Sequence, residues 1–311
     1  MFLKFIFSLL LLLNGSNFLI NGALSIGKRF NISNLVLGIF VVALGTSLPE
    51  LFVLISSLFN SKPLLGVVNI FSSSIFNLCI ILALSSFFVK IDLKKRVLTN
   101  EIPFNLFFSF LIIILFGFFT PGLQYYDGLI LLFFFLIFSF RLLRYRSRFF
   151  EHKLDIKVYS FLVSLLLIFA GSVSLFYGSS FLVVSIVDIS TYFNVNLKFL
   201  SATMIALGTS APELFTSFFI IKKNDVDLLI GNLIGSNIFN LSFVLGFGSI
   251  FSFIPFDPSY YFDILILIFS KILILIFYYF SPSKYVTPPL AMLLIFLALS
   301  YLFSLTLNFI I

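Results

Sequence analysis

The chain has 311 residues, 61% hydrophobic and 10% charged, with a formal net charge of +7, whereas an ordinary soluble domain is about half apolar and a quarter charged. Mean hydropathy is +1.20, and apolar runs of about 18 or more residues recur along the chain, each long enough to cross a hydrocarbon core about 30 Å thick. A soluble fold is excluded, and the class is an all-α, polytopic membrane protein embedded in the lipid bilayer. The basic residues sit in short loops between apolar spans, where they set orientation and give no case for nucleic acid as a partner.

In chain order, breaks at Pro, Gly and charge divide the sequence into ten spans, at roughly 5–24, 34–58, 64–89, 103–120, 126–143, 159–187, 197–221, 227–253, 260–280 and 287–310. The first opens with Lys4 and an apolar run, a pattern shared by cleaved signal peptides and retained first helices. Retention is expected, because the downstream end of this span belongs to a repeat. The single cysteine, Cys79, lies inside an apolar span and is expected to be a buried structural thiol. A polar, basic stretch over 141–158 separates a first half, 1–140, from a second, 159–311.

Loop charge is lopsided across the spans. One side collects Lys28, Arg29, Lys90, Lys94, Lys95, Arg96, Arg141, Arg144, Arg146, Arg148, Lys153, Lys157, Lys222, Lys223 and Lys284, and the other only Lys4, Lys62 and Lys198. That bias makes the first side cytoplasmic and turns both termini away from the cytoplasm. Asp263 and Lys271, both in the ninth span, are expected to snorkel toward the interface. In the absence of Trp, the interfacial belts are expected to use Tyr125, Tyr126, Tyr260 and Tyr261.

The sequence contains itself twice. The segment from Gly15 to Phe52 aligns without a gap on that from Gly178 to Phe215, and the same offset of 163 carries Glu50 to Glu213 and Asn77 to Asn240. Five spans separate equivalent positions. Since five is odd, the second copy enters the membrane upside down, and two inverted five-helix repeats are typical of secondary transporters with a site near the midplane.

Glu50 and Glu213 are acidic residues well inside apolar spans, and a carboxylate there costs on the order of several kcal/mol unless it is paired or lines a wet cavity. No lysine or arginine lies in the same spans away from their ends, so a mobile cation is the simplest partner. Thr46 and Ser47 precede Glu50 by four and three residues, and Thr209 and Ser210 repeat that spacing before Glu213. In the following spans Ser73 and Asn77 are four apart, as are Ser236 and Asn240. Oxygen ligands of this kind suit a hard cation. Pro49 and Pro212 cannot donate to the carbonyls of Gly45 and Gly208, so each breaks its helix and frees further ligands.

The segments GTSLPE (Gly45–Glu50) and GTSAPE (Gly208–Glu213) resemble the paired signatures of the cation/calcium antiporter superfamily, which includes the sodium/calcium exchangers. GNLIGSNIFN (Gly231–Asn240) is similar to its companion motif. The resemblance implies exchange of calcium against sodium with no cofactor and no enzymatic step, the two glutamates sharing the calcium. By motif position Thr46 and Thr209 would add ligands to that ion. Ser47, Ser73, Ser210 and Ser236, with the carbonyls of Ala43 and Ala206, would help form flanking sodium sites, and Asn77 and Asn240 would line the centre. The short linker is that of the compact prokaryotic form, in a bacterial inner membrane. Departures are Ser72-Ser73-Ser74 where the family has Gly-Ser-Asn, and Val68 where the second copy has Gly231, which point to looser helix packing. Some relatives carry aspartate where this chain has Asn240. Three alternatives stay open from sequence: proton-coupled exchange, since paired carboxylates in apolar surroundings can hold a proton; an intramembrane enzyme using the two glutamates as acid and base; and a sensor that binds an ion without moving it.

Overall fold

In hydrocarbon each backbone N–H and C=O must be satisfied inside its own segment, so long apolar runs fold as helices. The structure is a computed structural model that describes residues 2–30, 43–91, 101–119, 121–146, 158–222, 226–280 and 285–310, and it is helical almost throughout. In chain order the helices are α1 (Phe2–Arg29), α2 (Ala43–Thr46), α3 (Leu48–Phe59), α4 (Pro63–Ile75), α5 (Leu82–Phe88), α6 (Ile102–Ile114), α7 (Tyr125–Arg146) and α8 (Phe161–Phe193). The second half continues with α9 (Leu197–Leu200), α10 (Ala206–Thr209), α11 (Ala211–Lys222), α12 (Val226–Phe239), α13 (Leu245–Phe251), α14 (Tyr260–Phe280) and α15 (Pro288–Ile310). Wider π turns over Phe76–Ile81, Ser201–Ile205 and Asn240–Val244 join α4 to α5, α9 to α10 and α12 to α13. A fourth, Leu115–Phe119, extends α6. Two short strands, β1 (Gly122–Leu123) and β2 (Ile254–Pro255), pair antiparallel and tie two loops together.

Among the described residues six helices are long and apolar enough to cross a membrane, or seven if the bent pair Leu197–Thr209 and Ala211–Lys222 is one span. Leu48–Phe59 and Ile102–Gly117 are shorter apolar helices. The fold is therefore that of an all-helical, multi-pass membrane protein, but ten full-length spans are not all present among these residues. Residues 34–42 of the second expected span and 147–157 of the basic linker lie outside the described residues, as do Lys94, Lys95, Arg96, Arg148, Lys153, Lys157, Lys223 and Lys284.

Burial separates centre from rim. The spans Pro63–Phe88 and Leu229–Phe251, equivalent in the repeat, are 83% and 78% buried, against 28% and 22% for α1 and α8, which are also equivalent to each other. The two rim helices pack along one another through glycines. A Cβ on Gly22 would sit 2.7 Å from the carbonyl oxygen of Ser164, and one on Gly171 2.7 Å from that of Gly15. Small residues let the backbones approach this closely, which is how apolar helices gain contact when lipid is as greasy as the partner.

Local signals set the ends. Ser160 caps α8 by accepting from Val163 N at 3.3 Å, and Asn194 closes it in the left-handed conformation at φ 54°. Pro63 opens α4 at a position where its missing N–H costs nothing. Cys79 is buried and free, as expected.

Three expectations about interfacial residues are corrected. Lys271 does not snorkel: it is 1% exposed and donates to Ser109 Oγ at 2.6 Å and to the carbonyl of Asn105 at 3.2 Å. Asp263 is buried as well, and pairs with Lys198 Nζ at 3.0 Å. Both find polar partners on neighbouring elements, so neither has to reach water. Tyr260 belongs to no belt either. It is buried in an aromatic cluster with Phe71, Phe116 and Phe256, whereas Tyr125 and Tyr126 are exposed.

Candidate ion-binding site

Both proline-broken helices are broken where the sequence predicts. Ser47 separates α2 from α3, and Ser210 separates α10 from α11 with a 41° bend. Pro49 and Pro212 stand in the first turn of the second piece, and Glu50 and Glu213 follow directly. Backbone bonds that skip the break run from Leu51 N to Ser47 O (3.3 Å) and from Leu214 N to Ser210 O (3.0 Å). The freed carbonyls are not equivalent. That of Gly45 accepts Ser16 Oγ at 2.6 Å, so it is engaged within the protein, contrary to the expectation that it is a free ligand. The carbonyl of Ala206 accepts Ser210 N at 3.0 Å and lies 3.4 Å from Thr209 Oγ1. Ala43 stands at the first residue of α2.

Contacts cross from one copy of the repeat to the other. The piece carrying Thr46 packs on α12, which carries Ser236, and the piece carrying Thr209 packs on α4, which carries Ser73. Ser73 Oγ lies 3.3 Å from Thr209 Oγ1, and Ser47 Oγ donates to Glu213 Oε1 at 3.4 Å. The hydroxyls of Ser73 and Thr209 lie beside Glu50, and those of Thr46 and Ser47 beside Glu213. Asn237 Nδ2 donates to the carbonyl of Ser74 at 3.1 Å, and these two are equivalent positions, separated by the repeat offset of 163. Glu50 and Glu213 are equivalent as well, and each has hydroxyls of the other copy beside it. Contact between equivalent residues is the mark of a two-fold, self-complementary interface, so its axis passes between the glutamates.

All ten side chains singled out for the site outside Ala43 and Ala206 are buried: Thr46, Ser47, Glu50, Ser73, Asn77, Thr209, Ser210, Glu213, Ser236 and Asn240. Ala206 is buried too. Direct contacts join Ser47, Ser73, Thr209 and Glu213. Among the described residues the side chains of Asn77, Asn240, Ser210 and Ser236 have no hydrogen-bond partner, nor does either carboxylate oxygen of Glu50 or Oε2 of Glu213. The asparagines nevertheless lie in the same interface. The π turn of Asn77 packs on α12, and that of Asn240 on α3 and α4. Both stand in π turns at equivalent places, which the sequence did not announce, and such turns are frequent at functional sites.

Sequence reasoning passed over Asn69 and Asn232, which are equivalent and buried. Asn69 Oδ1 accepts from Thr209 Oγ1 at 3.1 Å, while neither the side-chain oxygen nor the nitrogen of Asn232 has a partner among the described residues. The signal was available: each lies four residues before Ser73 or Ser236, hence on the same helix face. Ser72, a departure from the family motif, is bonded to Tyr301 Oη at 2.9 Å. A cavity of about 100 Å³ lies beside it, between Ser72, Ile75, Phe76, Ala206 and Tyr301.

Unpartnered buried polar atoms are costly, and a carboxylate most of all. Among the described residues those of Glu50, Asn77, Ser210, Ser236 and Asn240 lie on the elements that form this interface. The side chains found beside the glutamates among the described residues are the hydroxyls of Thr46, Ser47, Ser73 and Thr209; among these residues no lysine or arginine pairs with either glutamate, and no cluster of three His, Cys, Asp or Glu occurs. Two carboxylates amid hydroxyls and amides suit hard cations of total charge near two, and not a transition metal that prefers nitrogen or sulfur.

Comparison with known proteins agrees with this chemistry. An uncharacterized membrane protein of Methanocaldococcus jannaschii is 32% identical over 81% of this chain and 82% of its own length. An inner membrane protein of Escherichia coli, YrbG, is 29% identical over 82% of the chain and 81% of its own length. The solved structure of the sodium-calcium exchanger NCX_Mj, soaked with Na⁺ and Sr²⁺, superposes with a TM-score of 0.68 at 28% identity, covering 97% of each chain. The family model described as sodium/calcium exchanger protein matches residues 1–144 and 163–307. With the family model spanning both copies of the glutamate motif, the chain belongs to the sodium/calcium exchanger protein family.

Proposed function

We propose that the chain exchanges calcium for sodium across the membrane, both ions competing for one site between Glu50 and Glu213. What carries the reading is the pair of wholly buried carboxylates with unpartnered oxygens on the two sides of a two-fold interface. Thr46 and Thr209 supply further oxygens to calcium. Ser47, Ser73, Ser210 and Ser236, with the carbonyls of Ala43 and Ala206, form flanking sodium sites. Asn77 and Asn240 line the centre. The structure of a sodium-calcium exchanger that superposes on this chain was obtained with Na⁺ and Sr²⁺, which supports sodium as the coupling ion over the proton.

Mechanism follows from charge. Empty, the site holds two like charges in a low dielectric, where bringing them across is costly; loaded with one Ca²⁺, or with the sodium ions that replace it, it is near neutral. Only loaded states cross, so uptake of one ion requires release of the other. The halves 1–140 and 159–311, joined by the linker 141–158, act as inverted repeats that rock about the site. A relative named an inner membrane protein supports the inner membrane as the location, and the loop charge bias supports both termini facing away from the cytoplasm.

Calcium uptake into sodium-loaded proteoliposomes tests the proposal. Glu50→Gln and Glu213→Gln are each expected to abolish uptake while the protein still reconstitutes. Uptake unchanged in either variant overturns the assignment.

A further inference from the structure

Away from the glutamates, one more buried ionic pair joins the bundle. Asp263, wholly buried at the start of α14, pairs with Lys198 Nζ at 3.0 Å, and Lys198 is 12% exposed. The same ammonium donates to the carbonyl of Ser259 at 2.8 Å. Beside Asp263 lies the hydroxyl of Tyr301 on α15, which is 2.9 Å from Ser72 Oγ on α4. Lys198 belongs to α9, which runs through the π turn Ser201–Ile205 into α10 with Ala206 and Thr209. Ser201 Oγ closes the circuit by donating to the carbonyl of Leu65 at 2.6 Å. Helix α4 is thus held at Leu65 and again at Ser72, directly before Ser73, and both holds lead back to Lys198 and Asp263.

The repeat makes this circuit informative. At the positions equivalent to Lys198, Tyr301 and Ser72 stand Leu35, Phe138 and Gly235, residues that cannot build an ion pair to a lysine or a hydroxyl bridge. An exactly duplicated inverted pair would have two end states of equal energy, related by exchanging the roles of the halves. A contact made in one half alone lifts that equality. The cavity bounded by Ala202, Thr203, Ala206 and Tyr301 leaves space on one side of the tethered segment, so these polar contacts add to the packing that holds it.

We propose that Lys198, Asp263 and Tyr301 are positioning residues that form a latch in the second half only, fixing α9 and α4 and so setting toward which membrane face the ion site is more often open. The proposal rests on the exchange function argued above. Asp263 is out of water, so losing Lys198 leaves it an uncompensated buried charge.

Side-resolved calcium affinity in oriented proteoliposomes tests it. Asp263→Asn and Lys198→Met are each expected to change the ratio of half-saturating calcium concentrations at the two faces by about fivefold or more, the low end of measured site couplings. Tyr301→Phe moves the ratio in the same direction by less. The exchanged pair Lys198→Asp with Asp263→Lys returns it toward the parent value. A ratio unchanged in the single variants, or affinities lowered equally at both faces, overturns the latch. A readout independent of transport is hydrogen exchange of residues 197–205, expected to speed up in Asp263→Asn and to recover in the exchanged pair; unaltered exchange also overturns it. Parent protein without sodium-driven calcium flux would instead refute the proposed function, with hydrogen exchange still deciding the latch.

Discussion

Thr209 shows how a single hydroxyl serves the site twice. It donates to Asn69 Oδ1 at 3.1 Å and lies 3.3 Å from Ser73 Oγ, with Glu50 beside both. Asn69 therefore holds the rotamer of a residue proposed as a calcium ligand without being one of those residues itself. Outer partners of this kind cost about 10- to 100-fold in metal affinity when removed. Asn69→Ala is expected to lower calcium affinity by about tenfold, read by calorimetric titration, and Asn69→Asp to lower it less; equal affinity in Asn69→Ala would mean Thr209 is held by other contacts. The glutamates and their hydroxyl neighbours were legible because two carboxylates in apolar spans stand out and recur at one offset. Asn69 and Asn232 recur at that same offset, but an amide carries no charge, so nothing at the level of composition marks it. Tyr301 and Lys198 were illegible for another reason: their partners lie on other helices, and no local spacing encodes a contact between Ser72 and a residue 229 positions away.

Among the elements, breaks were readable and windings were not. Proline removes a donor at a known place, so the interruptions at Ser47 and Ser210 follow from Pro49 and Pro212 alone. A π turn has no such residue signature. Close packing of α1 on α8 is legible only in part, since glycines at Gly15, Gly22, Gly171 and Gly178 suggest a crossing without saying which helix fills it. The structure pairs them with each other. A side chain at Gly22 has no room beneath the Ser164 carbonyl, 2.7 Å from its Cβ position, so the helices must part. Gly22→Leu is expected to lower stability by about 1–3 kcal/mol, seen as a fall in melting temperature in detergent. Leu10→Ala, on the exposed side of the same helix, is expected to leave it nearly unchanged.

For the whole molecule, the repeat in the sequence leads to the expectation of two halves meeting at a site, and the hydrogen bond from Asn237 to the Ser74 carbonyl joins one pair of equivalent positions. The described residues hold six or seven long apolar helices, and residues 34–42 of the second expected span lie outside them. The fates of Asp263 and Lys271 were missed for a related reason: a charge near a helix end looks free to reach water until its neighbours are known. At this scale the coupling ion is the testable matter. In proteoliposomes with no sodium, a pH gradient alone is expected to drive no calcium uptake, and an imposed sodium gradient to restore it. Uptake with protons alone would reassign the coupling.

The wide turns at Asn77 and Asn240 carry one more consequence. A turn closed by i to i+5 bonding is an α-helix with a supernumerary residue, so the helical phase before it and the phase after it differ by about 100°, the rotation of one residue at 3.6 per turn. Residues ahead of the turn can then point polar side chains inward while those beyond it, such as Leu82 and Leu245, still bury apolar ones. Lengthening either helix by a single amino acid at that spot has already been absorbed, and the same insertion anywhere else along it would rotate hydroxyls into lipid.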